Sequence, residues 1–429
     1  MDYRDDNDEQ LTTGISEYEE LEKQRKSTFR KGIATGISIT MVVVLLLVTA
    51  ASVVIRKNGL MLTSYKMDSE AAEDVISSGA QTKLAEVISA LSKYYYKDLD
   101  SDKMVEGLYA GVVDSLGDKY TAYFTKEEYQ DYVQGTQGTY QGIGILLTQD
   151  KNTGVISISR VYKGTPAEEA GLKAGDEFVS ADGYKAENTD ITEFATHVKG
   201  DAGSKVKIVI KRDGKEKTYN IKRKTVEMPT VNYQMLKDNV GYIQITEFDQ
   251  VTTEQFNKAI SDLKSQNMKS LIVDLRDNPG GMVTTVTDIL DQLLPKGVLV
   301  YTKDKEGNKK EYKSDSRELG LPMAVLVNEN SASAAEIFAG AVKDYGYGTL
   351  IGTKTYGKGI VQVLLPLSDG SAIKVTTARY FTPKGNYIHE KGIEPDIELE
   401  YKYENKKDKT YNIMHDNQVK KALKVLKEK

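Results

Sequence analysis

Met323-Ala324-Val325-Leu326-Val327-Asn328-Glu329-Asn330-Ser331-Ala332-Ser333-Ala334-Ala335-Glu336-Ile337-Phe338-Ala339-Gly340-Ala341-Val342 passes from an apolar run through a short polar turn into a helical pattern. Met323 to Val327 is uninterrupted by charge and reads as a buried strand, and Ala332 to Val342 reads as a helix. The same alternation lies upstream. Gly241 to Ile245 reads as a strand, Thr253 to Gln266 as an amphipathic helix, and Leu271 to Leu275 as a second buried strand. Strands that alternate with helices in this way predict an α/β core.

Chemistry-bearing residues gather where these strands end. Ser331 and Ser333 stand at the strand-to-helix turn, flanked by alanines that leave room for close backbone approach. A serine placed there is either a helix N-cap or an exposed nucleophile on a tight elbow. Asp274-Leu275-Arg276-Asp277-Asn278-Pro279-Gly280-Gly281 follows the other buried strand, and its glycines could aim backbone N–H groups at one point or merely punctuate the chain. Thr355-Tyr356-Gly357-Lys358-Gly359-Ile360-Val361-Gln362 is the third block. With Gly352 it fits most of a nucleotide-binding Walker A loop. However, Gly359 replaces the hydroxyl residue that would hold magnesium, and Val361 to Leu367 reads as strand where that loop requires a helix.

Composition narrows the chemistry further. The 429-residue chain has no cysteine, which excludes disulfides, thiolate zinc sites and a cysteine nucleophile. Its net charge of −5 gives no global attraction to nucleic acid. Histidines occur only at 197, 389 and 415. A serine nucleophile needs a base, and with so few histidines lysine is the natural candidate. Burial can depress a lysine pKa by several units, which is what a neutral lysine base requires.

Outside the core, Ile33 to Ile55 is an uncharged stretch of about 23 residues, long enough to span a bilayer. Lys23, Arg25, Lys26, Arg30 and Lys31 precede it, so the N-terminus is expected in the cytoplasm and the bulk of the chain outside. A core helix and a cleaved signal peptide are the competing readings, and the small residues Thr49-Ala50-Ala51-Ser52 keep cleavage open. Residues 1–32 form the expected cytoplasmic tail, 33–55 the span, 56–134 a helical region and 401–429 a basic C-terminal helix carrying Val419, Leu423 and Leu426 as an apolar stripe. Between them, Gly142-Ile143-Gly144-Ile145 opens a β-rich stretch that continues through Gly164-Thr165-Pro166-Ala167-Glu168-Glu169-Ala170-Gly171-Leu172-Lys173-Ala174-Gly175-Asp176. These segments resemble a PDZ domain of the type found in bacterial proteases, over residues 135–225. Such a loop would hold a terminal carboxylate with Gly142, Ile143, Gly144 and Ile145 while the extended tail adds as a strand.

The three core blocks, with Thr382-Pro383 and Gly392-Ile393-Glu394-Pro395-Asp396 downstream, resemble the carboxyl-terminal processing peptidases, or tail-specific proteases. The resemblance implies an α/β protease core at 226–400, of the Clp protease and crotonase-like class, with an inserted PDZ domain, a helical N-terminal segment and one transmembrane helix. By motif position it assigns the nucleophile to Ser333, the general base to Lys358 and the lysine-orienting role to Gln362. The oxyanion donors would be the backbone N–H of Ala334 and of Gly280 or Gly281. Ala335 stands where the family usually has serine. The implied enzyme is a membrane-anchored serine endopeptidase that acts through an acyl-enzyme, needs no cofactor or metal, takes protein substrates with apolar C-terminal tails and can pair as a homodimer. A non-catalytic PDZ scaffold on a protease-like core is the main rival. A trypsin-like protease would need a histidine far upstream of the serine, and an acyl-CoA enzyme of similar core fold would have neither the Ser–Lys pair nor a PDZ segment.

Overall fold

The computed structural model describes residues 77–405 and 410–428. The expected cytoplasmic tail and the apolar run 33–55 lie outside them. No helix among the described residues is long and apolar enough to cross a membrane. The chain divides into two compact units, residues 1–99 and 100–429. In the first, the described part is the helix Ser78–Tyr94, capped by Ser77.

The second unit is built on a six-stranded sheet in the order Val231–Met235, Val240–Ile245, Ser270–Asp274, Met323–Val327, Gly348–Gly352 and Ile397–Glu398. The first pair is antiparallel and the remaining pairs are parallel. Both central strands are buried at every residue. That is why they read as continuous apolar runs: each face of a parallel sheet is covered by helices. Leu271, Val273, Met323, Val325 and Val327 turn toward a core shared with the helices Thr252–Ser265, Val283–Leu293 and Ala334–Tyr345. Ile272, Ala324 and Leu326 turn to the opposite face, where Val419, Leu423 and Leu426 of the helix Asn417–Lys427 cover them.

Two boundaries differ from expectation. The C-terminal helix occupies only Asn417–Lys427, because Asp416 caps it by accepting the N–H groups of Gln418 and Val419. Residues 401–405 and 410–412 run mostly without regular structure. The region expected to be helical through residue 134 contains the helices Ser101–Asp114 and Lys126–Thr136, but also the strand Ala122–Phe124. That strand pairs antiparallel with Ala372–Phe381 in a second sheet that also holds Gly297–Asp304, Lys309–Ser314 and Ile360–Pro366. A partner strand remote in sequence overrides the local helical pattern.

The β-rich segment forms its own sheet, Ile145–Gln149, Ile156–Val161, Glu177–Ala181, Lys205–Arg212 and Lys215–Lys222, around a separate apolar core centred on Phe194, Ile156, Ile158, Val206, Ile208 and Ile210. Arg212 Nε donates to the buried carboxylate of Asp176 at 2.5 Å and locks the turn before the strand Glu177–Ala181. Thr139–Gly142 pairs with Lys224–Glu227, so the two connections to the rest of the chain run as one antiparallel ribbon.

Candidate active site

Three adjacent parallel strands, Ser270–Asp274, Met323–Val327 and Gly348–Gly352, release their loops at the same edge, the carboxyl end where α/β sheets gather functional groups. The first loop carries the glycine pair, the second Ser331 and Ser333, and the third Lys358.

The two serines have different environments. Ser331 is fully buried; its Oγ donates to the Leu275 carbonyl at 2.7 Å and accepts the Asn328 N–H at 3.0 Å. It staples one loop to its neighbour. Ser333 is half-buried and sits at φ 53°, ψ −113°, a region a non-glycine residue enters at a cost of about 1–3 kcal/mol. The helix it precedes is joined to it through the backbone: the Glu336 N–H donates to the Ser333 carbonyl at 2.9 Å, and the Glu336 carboxylate accepts the Ser333 N–H. Such a kinked strand-to-helix turn is the geometry of a nucleophile elbow.

The first loop is stitched to that elbow. Asn278 Nδ2 donates to the Ile245 carbonyl at 2.8 Å, and the Ala332 N–H donates to the Asn278 carbonyl at 2.9 Å. Asp277 accepts from the side-chain amides of Asn330 and then Asn328, which hold its carboxyl below the usual range. Gly280 approaches so closely that a Cβ there would lie 2.7 Å from Ser333 Cβ. The Gly280 N–H, one of the two glycine donors expected for an oxyanion, instead donates to Asn278 Oδ1 at 2.8 Å. In the free enzyme this N–H is engaged inside its own loop. The N–H groups of Gly281 and Ala334 make no backbone hydrogen bond of this kind.

Glu336 joins the elbow to the lysine loop. It is fully buried three residues after Ser333. Oε2 accepts the Ser333 N–H at 3.0 Å and the Lys358 N–H at 2.8 Å. Oε1 accepts the Gly357 N–H at 2.7 Å and the Thr355 hydroxyl at 2.6 Å. Burial pushes its carboxyl above the ordinary range, and these four donors act against that rise. The Tyr380 hydroxyl adds a bond to the Ser333 carbonyl at 3.0 Å. In the sequence Glu336 carries no catalytic signature of its own. Its one local signal is spacing, since Ser-x-x-Glu at a helix start is the capping-box signature.

The Lys358 amine is half-buried, and burial first, then the charge of Lys374, lowers its pKa below the ordinary lysine value; Tyr356 and Asp118 act the other way. No hydrogen bond joins Lys358 Nζ to Ser333 Oγ. The nitrogen lies 4.7 Å from the ring centroid of Tyr120. Gln362, on the strand Ile360–Pro366, leaves its buried Nε2 without a partner, as do Thr376 Oγ1 directly across the ladder and His389 Nδ1. Gly359 fits only because it has no side chain: a Cβ there would lie 2.6 Å from the His389 nitrogen.

In the β-rich unit, Gly142, Ile143, Gly144 and Ile145 form the mouth of a groove of about 260 Å³ between the strand Ile145–Gln149 and the helix Ile191–Val198. Ile145, Leu147, Ile191, Ala195 and Val198 line it. The strand is at the end of its sheet, so one edge is open to another strand. Gly144, at φ 89°, is required: a Cβ would come within 2.2 Å of Thr165.

A profile of peptidase family S41 matches residues 239–399, and a PDZ domain profile matches residues 142–222. A CtpA-like serine protease of Staphylococcus epidermidis is 36% identical over 340 residues, covering 78% of this chain and 68% of that protein. The carboxy-terminal processing protease CtpB of Bacillus subtilis is 35% identical over 327 residues, covering 75% of this chain and 68% of that protein. Among solved structures, a candidate S41 protease of Bacteroides fragilis aligns over 78% of this chain and 92% of its own, with a TM-score of 0.50 and 18% identity, a likeness of fold.

Proposed function

The chain belongs to peptidase family S41, as a carboxyl-terminal processing serine peptidase with a PDZ domain, and on that premise we propose that Ser333 and Lys358 form its catalytic dyad. The observation that carries the reading is the Glu336 carboxylate, which binds the Ser333 N–H and the Lys358 N–H on one oxygen and so ties the elbow to the lysine loop. Neutral Lys358 takes the proton of Ser333 Oγ as that oxygen attacks the scissile carbonyl carbon. The carbonyl electron pair moves to oxygen, which the N–H groups of Ala334 and Gly281 receive. The lysine then passes its proton to the leaving amine as the C–N bond breaks, leaving an acyl-enzyme that water hydrolyses. Gln362 orients the lysine through its side-chain amide. Desolvation of Lys358 supports the scheme, since only the neutral amine can act as base.

The PDZ groove selects protein substrates by their free C-terminal carboxylate and an apolar last residue. The run 33–55 anchors the enzyme in the membrane with the peptidase outside the cytoplasm, and its α/β core is of the Clp protease and crotonase-like class. Two experiments test these readings. Ser333→Ala, Lys358→Ala and Lys358→Arg should each abolish cleavage of an apolar-tailed peptide, because guanidinium cannot deprotonate; turnover by the folded arginine variant would place the base elsewhere. Protease shaving of spheroplasts should degrade the peptidase region, and protection until lysis would reverse the orientation.

A further inference from the structure

Tyr120 lies far from the motif residues in sequence, in neither the S41 nor the PDZ match. The turn that delivers it is well defined. Asp118 accepts the Tyr120 N–H at 3.0 Å and the Thr121 hydroxyl at 2.6 Å; burial acts to raise its carboxyl, and these bonds, the Thr121 hydroxyl foremost, hold it below the usual range. Buried Thr121 in turn accepts the Thr376 N–H at 3.1 Å, and the strand Ala122–Phe124 then pairs with Ala372–Phe381. The half-buried ring is thereby fixed against the Lys358 amine, 4.7 Å from centroid to Nζ, and meets the His389 ring in an edge-type contact at 6.3 Å.

We infer that Tyr120 is a positioning residue of the peptidase reaction: the face of its ring seats the Lys358 ammonium in the free enzyme and receives it again after the serine proton has been taken. The inference rests on the Ser–Lys reading above. An ammonium over an aromatic face is attracted by the ring quadrupole, and the attraction grows when water is excluded. A neutral amine gains far less. The ring therefore favours the charged form and opposes the burial that favours the neutral one. In the resting enzyme the lysine sits on the ring, with no bond to Ser333. Once neutral, it is free to swing to Ser333 Oγ. When the O–H bond breaks and Nζ gains the proton, the same face stabilises the ammonium until the proton leaves with the amine. The other groups around this amine are Lys374 from the paired strand, Tyr356 from its own loop, and Asp118 and Lys119 from the turn. Lys119 also lies over the Tyr120 ring, at 4.9 Å, but it is exposed.

The sign of the effect can be tested without moving the backbone. The acid limb of kcat/KM reports the ionisation of the free enzyme. In the full chain purified in detergent, Tyr120→Phe should keep the limb where the wild type has it. Tyr120→Leu, which keeps an apolar neighbour but no ring quadrupole, should lower it by about half to one and a half pH units. Phenylalanines carrying one, two and three ring fluorines at position 120 have nearly the same shape and a progressively weaker quadrupole, so the limb should fall stepwise across the series even if the leucine variant folds poorly. The rate at which an uncharged fluorophosphonate labels Ser333 should follow the same pH shifts, independent of peptide binding. A limb that stays fixed across the fluorinated series while Lys358→Ala is inactive overturns the role of Tyr120 and leaves the dyad standing. Substantial turnover by Lys358→Ala overturns both.

Discussion

Replacing Glu336 by glutamine tests the link between the two halves of the site. The amide keeps the shape and one acceptor oxygen but turns the other position into a donor. If its NH2 takes the place of Oε2, the buried N–H groups of Ser333 and Lys358 both lose their acceptor. If it takes the place of Oε1, the Gly357 N–H is orphaned and the Thr355 hydroxyl hydrogen loses its acceptor, but Thr355 Oγ1 can turn and accept from the amide while still accepting the Ile393 N–H. The second orientation is therefore favoured. It costs about 1–3 kcal/mol for the orphaned buried N–H, and further for the loss of charge from the remaining bonds. Burial already raises the Glu336 carboxyl, so removing its charge recovers part of this. A net loss of about 2 kcal/mol is expected, with kcat down about ten- to a hundredfold as Gly357 and then Lys358 shift against Ser333. Urea unfolding followed by circular dichroism reads the first quantity, and steady-state cleavage of an apolar-tailed peptide reads the second. Peptide affinity of the PDZ groove should not change. A variant that loses stability yet keeps kcat within about twofold of wild type would show that this carboxylate braces the fold without aligning the dyad.

Lys358→Met should be inactive yet at least as stable as wild type at neutral pH. A lysine whose folded pKa is lowered binds fewer protons folded than unfolded, so wild-type stability rises with pH between that lowered pKa and the unfolded lysine value, and the methionine advantage should fade as pH climbs through this window. Arg276→Met leaves Asp274 and Asp416, both fully buried, without their shared cation and should cost about 3–5 kcal/mol in urea unfolding, loosening the C-terminal helix that Asp416 caps. Gly144→Ala forces a side chain onto Thr165 at a positive φ, so it should weaken tail binding in a fluorescence titration while Ser333 still reacts with a fluorophosphonate at the wild-type rate. Amidating the C-terminus of a good peptide should likewise weaken PDZ binding by about 1–3 kcal/mol, as for a lost charged hydrogen bond; equal affinities would remove the carboxylate from recognition.

Much of this architecture is legible in the chain because its signals are local. Leu271 to Leu275 and Met323 to Val327 announce buried strands, since a parallel sheet covered on both faces needs an apolar residue at nearly every step. Glycines mark the sharp turns, and the stripe Val419, Leu423, Leu426 marks the face a helix buries. The motif blocks around Gly280, Ser333 and Lys358 lie on consecutive loops of adjacent strands, so their convergence follows once the α/β alternation is recognised. Tertiary structure alone separates Ser331, whose hydroxyl is engaged by Leu275 and Asn328, from Ser333 on its strained elbow. It alone shows that Asn278 already holds the Gly280 N–H, and that Ala122–Phe124 is a strand because Ala372–Phe381 offers it an edge. It also brings Tyr120 to Lys358 across more than two hundred residues of chain. Periodicity and turn chemistry report what a segment requires of its own backbone; which hydroxyl stays free, which N–H is engaged and which ring faces an amine depend on partners that only the closed fold brings within reach.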